Sequence, residues 1–162
     1  PVGFDHFARP GDPMAEAVRR GTLRRNFQGF TDDQGEVLVG LGASAIGCFP
    51  DLLVQNEKKA GRYRMLLSQD RLPAALGVRR SRDDQRRGAV IEALLCFGAA
   101  SLDPDLAAEA APRLVPFVER GLASFEGDTL TIAPGGLPYA RTIAAMFDPY
   151  RQDSLHRFSS AV

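Results

Sequence analysis

Ser81-Arg82-Asp83-Asp84-Gln85-Arg86-Arg87-Gly88-Ala89-Val90-Ile91-Glu92-Ala93-Leu94-Leu95-Cys96-Phe97 carries the clearest fold signal in the chain. A hydroxyl residue stands where a cap belongs, an acid follows three residues later, and Val90, Ile91, Leu94, Leu95 and Phe97 then recur at helical spacing. The pattern predicts a helix over about 82–97. Downstream, Asp103-Pro104 opens a second helical piece and a third runs from about Ala111 to Glu119, closed by Gly121. Leu122-Ala123-Ser124-Phe125 and Leu130-Thr131-Ile132 flank Glu126-Gly127-Asp128, which reads as a hairpin turning at Gly127. A last helix is expected over about 137–146. Three helices, a small hairpin and a closing helix make a winged-helix-like module over 78–162, with Phe125 and Tyr139 as core aromatics.

Upstream the character changes. Val2 to Phe7 alternates and then meets Arg9-Pro10-Gly11-Asp12-Pro13, so a short strand ending in a loop is expected, with Asp5-His6 near its end. Asp12 and Pro13 look like the cap and first position of a helix that stops at Gly21. From Thr22 to Phe49 the chain is rich in glycine, which permits tight turns and close backbone approach. A partly amphipathic helix is expected between Asn56 and Gln69, burying Tyr63, Leu66 and Leu67. The class is therefore α+β and mainly helical, with a boundary near Gly77 separating 1–77 from 78–162.

Composition bounds the function. The 162 residues are 44% hydrophobic and 25% charged, enough for a packed core, and 20 basic residues against 20 acidic ones leave a formal net charge of 0. No overall field draws this chain to nucleic acid or to a membrane surface, and no apolar run approaches the ~20 residues of a membrane span. Cys48 and Cys96 are the only cysteines and read as reduced thiols rather than a disulfide framework, which points to the cytoplasm. With His6 and His156 they show no zinc-ligand spacing, so no metal is expected on this segment. The chain begins Pro1-Val2-Gly3 without Met or signal-peptide pattern, which suggests that a segment upstream is missing.

Several strings carry possible chemistry. Gly40-Leu41-Gly42-Ala43-Ser44-Ala45-Ile46-Gly47 is a run of small residues whose backbone amides could meet a carboxylate or phosphate; tight packing of a strand explains it equally well. Gln28, between Phe27 and Gly29, offers a primary amide to a polar ligand or simply to backbone. His6 beside Asp5 is a candidate proton carrier or a satisfied strand-end pair, and His156 reads as structural. The Arg79, Arg80, Arg82, Arg86 and Arg87 cluster could meet carboxylates or phosphates, but Asp83 and Asp84 lie within reach to neutralise it.

Taken together, Asp5-His6-Phe7-Ala8, Asn26-Phe27-Gln28-Gly29-Phe30-Thr31, the 40–47 string, Gln55-Asn56, Arg82-Asp83-Asp84 with Arg86-Arg87, and Met146-Phe147-Asp148-Pro149-Tyr150 through Phe158–Val162 resemble the C-terminal part of the oxygen-independent coproporphyrinogen III oxidases. The resemblance implies a radical enzyme that uses S-adenosylmethionine and a [4Fe-4S] cluster to convert two propionates of coproporphyrinogen III to vinyls in haem biosynthesis. Such a cluster needs several nearby cysteine thiolates, so it would be held by the amino-terminal catalytic portion of the same polypeptide, and this segment alone would be inactive. Residues 1–77 would then come from the edge of an incomplete α/β barrel. By resemblance, Ile46, with Ala45 beside it, would lie against a second S-adenosylmethionine, and Gln28, with His6 and Asp5, on the substrate side; no catalytic residue is expected in the segment itself. Phe30, Gly47, Thr142 and Ser160 stand where the family more often has Tyr, Ser, Asn and Arg. A monomer is expected. The alternatives are a related haem chaperone, which usually carries a Trp-containing string absent here, a haem carrier ligating iron through His6 or His156, and a winged-helix DNA-binding module, for which Arg113 and Arg120 make a poor recognition surface.

Overall fold

The computed structural model describes residues 1–151. His156, Ser160 and the Phe158–Val162 part of the terminal string lie outside the described residues. In chain order the elements are α1 (Pro13–Arg20), β1 (Arg24–Asn26), β2 (Gly29–Thr31), β3 (Ile46–Cys48), β4 (Leu52–Asn56), α2 (Ala60–Ser68), β5 (Ala74–Arg79), α3 (Arg82–Phe97), β6 (Ala99–Ser101), α4 (Pro104–Glu119), β7 (Ala123–Glu126), β8 (Thr129–Ile132) and α5 (Ala140–Ala144), the last framed by 3-10 turns at Pro134–Tyr139 and Ala145–Phe147. The class is α+β, with antiparallel sheets ordered β1-β2, β3-β4-β5 and β6-β8-β7. The chain packs as two compact units, one of Pro1–Asp32 with the chain from Arg87 onward, the other of Asp33–Arg86. Gly77 is not a break. It pairs with Val54 inside β5, because the sheet continues to Arg79.

The first unit holds the core. Val90, Leu94 and Leu95 of α3, Leu106, Ala110 and Leu114 of α4, Leu130 and Ile132 of β8, and Ile143 and Phe147 bury against one another, and burial of this kind is the main stabilising term in folding. Helix α3 begins as its sequence predicts. Ser81 donates its hydroxyl to Asp84 Oδ2 at 2.8 Å, and the Asp84 amide donates back to Ser81 Oγ at 3.1 Å, a reciprocal cap. Asp12 likewise accepts from the Met14 amide at 2.9 Å, and Gly21 ends α1 with φ 68°.

In this unit four expectations change. Residues 104–119 form one helix, not two pieces, although Pro112 and Pro116 lie inside it. These prolines sit four apart on the exposed face opposite Leu106, Ala110 and Leu114, so the carbonyls deprived of partners face water. Val2 to His6 is a tight turn, with Val2 and His6 exchanging backbone hydrogen bonds, because Gly3 adopts φ 58° and reverses the chain. The last helix is interrupted, only Ala140–Ala144 being α-helical. Phe125 and Tyr139 are surface rather than core aromatics: Phe125 is exposed on edge strand β7, and Tyr139 is exposed with its ring edge to face against Phe117 at 6.2 Å. The β7–β8 turn does place Gly127 at φ 62°, as expected.

In the second unit, β4 is central and β5 is exposed along its length. Helix α2 is shorter than predicted because Asn56 completes β4, and Leu67 is exposed rather than buried, while Tyr63 and Leu66 are half-buried.

Candidate functional site

Asp5 and His6 are brought to a cluster in the first unit. His6 Nδ1 donates to Asp5 Oδ1 at 2.6 Å, which fixes the ring proton on that nitrogen because a carboxylate only accepts. The other oxygen, Asp5 Oδ2, accepts from Arg141 Nη2 at 3.1 Å across 136 positions of sequence. The His6 ring stands edge-on to Phe30 with centroids 5.2 Å apart, and Phe4 meets Phe30 in the same manner at 5.8 Å. Arg25 lies over Phe30 at 5.0 Å and over Phe4 at 6.0 Å, and Arg141 lies over Phe4 at 5.1 Å. Cross-strand pairing explains the first contact, since Arg25 and Phe30 are register partners in the β1–β2 hairpin and so share a face. Gly3 admits the Phe30 ring, because a Cβ there would stand 2.1 Å from Phe30 Cζ.

Gln28 sits in the turn of that hairpin. Its amide donates to Asn26 Oδ1 at 2.8 Å, and its exposed side chain makes no hydrogen bond among the described residues. Ile46 and Ala45 belong to the other unit. Ile46 starts β3 opposite Gln55 and is half-buried; the close pass of Gly40 over its backbone excludes any side chain at position 40, where a Cβ would lie 2.7 Å from the Ile46 carbonyl. Three amides of the small-residue string are engaged internally: Gly42 donates to Tyr63 Oη at 3.0 Å, Ser44 to the Glu57 carbonyl at 3.0 Å and Ala45 to the Gly42 carbonyl at 3.3 Å. The loop therefore does not present the row of amides an anion cradle requires. What it offers beside Ala45 and Ile46 is small and partly buried apolar surface.

The organiser of this loop is not visible as such in the sequence. Asn56, buried, donates from Nδ2 to the carbonyls of Gly40 at 2.9 Å and Gly42 at 3.0 Å, while its own amide donates to Ala45 at 2.9 Å. Gln55 adds a bond from Nε2 to the Ser44 carbonyl at 3.2 Å. Gln55 pairs with Leu76 and Asn56 with Ala74, so Ala75 is an extra residue on β5 at the point where the clamp is made. Glu57, next in line, accepts from the Lys59 amide at 3.0 Å, and that bond, helped by Arg62 at 3.3 Å, holds its carboxyl below the usual range.

Two of the arginines in the first turns of α3, Arg86 and Arg87, are engaged. Arg86 pairs with Asp83 at 2.6 Å, and Arg87 makes a two-pronged pair with Glu109 at 2.9 and 2.6 Å. Cys96 is buried and its thiol is pushed up to about 11, first by desolvation and then by Glu92. A neutral buried thiol is a poor metal ligand. Cys48, the other cysteine, belongs to the second unit, so this chain does not supply the cysteine set of a four-iron cluster. Among the described residues no three His, Cys, Asp or Glu side chains converge, and no helix is long and apolar enough to cross a membrane.

No family model matches the sequence. The chain is 41% identical over 170 residues to the oxygen-independent coproporphyrinogen III oxidase of Bradyrhizobium diazoefficiens, a match covering 99% of this chain and 38% of that protein. It is 33% identical to the oxygen-independent coproporphyrinogen III oxidase of Escherichia coli, again over 99% of this chain and 38% of the relative. The solved structure of coproporphyrinogen III oxidase from Escherichia coli, described there as a radical SAM enzyme, superposes with a TM-score of 0.82 at 34% identity, over 93% of this chain and 37% of that one. The fold is thus the α+β fold found in part of that solved oxidase. More particularly, the chain is homologous over its length to part of the oxygen-independent coproporphyrinogen III oxidases, spanning little more than a third of these relatives.

Proposed function

We propose that this chain is the C-terminal segment of an oxygen-independent coproporphyrinogen III oxidase, an oxidoreductase that decarboxylates two propionates of coproporphyrinogen III to vinyls, giving protoporphyrinogen IX in haem biosynthesis. The observation that carries this reading is homology at 41% identity over 99% of the chain. In the complete enzyme, S-adenosylmethionine and a [4Fe-4S] cluster supply the radical chemistry, the cluster being held by the amino-terminal portion of the polypeptide. This segment contributes binding. Ile46 and Ala45 give apolar contact to a second S-adenosylmethionine, and the unbonded amide of Gln28 serves the substrate side, with Asp5 and His6 as lesser contributors. Positioning of this kind can govern rate without any bond being made to the segment.

We read the β6-β8-β7 sheet with α3 and α4 as a winged-helix-like module, a reading its three short antiparallel strands and two sixteen-residue helices support, and the residues before it as derived from the edge of the catalytic barrel. The protein works as a cytoplasmic monomer without nucleic acid. Gln28→Ala and Ile46→Asp, made in the complete enzyme, are expected to lower turnover of coproporphyrinogen III at least tenfold, whereas the isolated segment is expected to show none. Wild-type turnover by both variants would overturn the assigned contacts; failure of the complete wild-type protein to convert coproporphyrinogen III would overturn the function.

A further inference from the structure

We infer that Arg25 is a carboxylate-binding residue of the reaction, an inference that rests on the oxidase reading above. The charges around it can be accounted for one by one. Asp5 is engaged by His6 at 2.6 Å and Arg141 at 3.1 Å. Glu92 Oε1 accepts from Arg24 Nε and from the backbone amide of Arg25, both at 2.9 Å, which leaves the Arg25 side chain out of that pair. Among the described residues no carboxylate pairs with the Arg25 guanidinium. It is instead held over Phe30 at 5.0 Å, with Phe4 at 6.0 Å, and is only partly exposed.

A guanidinium over a ring uses its flat face, and its N–H donors, which lie in the plane, remain available to a ligand. Planar, pre-oriented and unneutralised, the group has the chemistry for two parallel bonds to a carboxylate. Contact with the two rings lowers its freedom before a ligand arrives, so less ordering has to be done on binding. Its position two residues before the Phe27-Gln28 turn puts this fork on the hairpin that carries Gln28. Two reactants of the proposed chemistry bear carboxylates: the porphyrinogen through its propionates, and S-adenosylmethionine through its amino-acid end.

The test uses the complete oxidase carrying Arg25→Gln and, separately, Arg25→Lys, titrated with coproporphyrin III, with its tetramethyl ester and with S-adenosylmethionine. Loss of charge-assisted hydrogen bonds is expected to weaken coproporphyrin III about tenfold or more in Arg25→Gln, with a smaller loss in Arg25→Lys, which keeps the charge but not the fork. The ester should bind the variants as it binds the wild type. A loss confined to S-adenosylmethionine would assign the carboxylate to that molecule instead. Unchanged affinity for both carboxylate ligands in folded Arg25→Gln, or in Arg25→Lys where the Gln variant melts early, would overturn the inference. An equal loss for the acid and the ester would also overturn it, as the mark of a structural role only. If wild-type enzyme binds coproporphyrin III and turns over coproporphyrinogen III while the variants match it, the inference fails alone; if wild type does neither, the functional reading fails first.

Discussion

Asn56 concentrates more of the candidate site's architecture than any residue the family resemblance singles out. Its two bonds to Gly40 and Gly42 satisfy carbonyls at the point where the chain doubles back beside Ile46. Asn56→Ala should cost about 1–3 kcal/mol, since it leaves acceptors without partners and not merely a bond unmade; chemical denaturation of the complete enzyme measures this. Gly3 has a comparable role in the other unit. Gly3→Ala combines an unfavourable φ of 58° with a clash against Phe30, and it is expected both to lower stability and to displace Arg25. Cys96 supplies a pH test. Its folded pKa, raised from 9.0 to about 11, means that burial of the neutral thiol contributes fully below pH 9 and that this contribution is lost as pH climbs toward 11. The fall in unfolding midpoint between about pH 8.5 and about pH 11.5, which bracket that window, should be shallower for Cys96→Ala. Under native conditions iodoacetamide should label Cys48 ahead of Cys96, as peptide mapping would read out.

Elements with a local cause were legible in the sequence, and those with a distant cause were not. The caps at Ser81 and Asp12 and the glycine turn at 127 announce their elements within a few residues. Strand β6, by contrast, is Ala-Ala-Ser, and only its pairing with β8 some thirty positions on makes it a strand. Strand β5 is similarly defined by β4. The prolines of α4 mislead because propensity counts the donor they lack without asking where the orphaned carbonyl points. Replacing Pro112 or Pro116 by Ala should therefore raise stability by about 1 kcal/mol or more, a gain tempered by the freer unfolded chain, and thermal unfolding would show it. The site divides along the same line. Asp5 and His6 are adjacent in sequence and legible as a pair, but Arg141 reaches them from the far end of the chain and gives no local sign.

At the scale of the molecule the two units differ in how they are held. The large clusters of buried apolar side chains lie in the first unit, whereas in 33–86 the apolar residues Val39, Leu41, Leu72, Leu76 and Val78 are exposed and the fully covered side chains are few. A region with little buried apolar surface opens at low free energy. Amide hydrogen exchange should therefore be faster across β5 and the 36–44 loop than across α3, α4 and β8, in the isolated chain as in the complete enzyme wherever no further chain covers that surface.

The first unit is also discontinuous, its opening thirty-two residues packing with the chain from Arg87 onward. Val2, Ala17 and Leu23 bury against Cys96, and Asp5 reaches for Arg141. During synthesis on a ribosome, the early hairpin and helix emerge with no surface to settle on until α3 is out, and the Asp5 link waits for nearly the whole chain. Closing so long a loop is slow relative to local folding, so nascent chains arrested before α3 should remain open to proteases, and chains released after α5 should not.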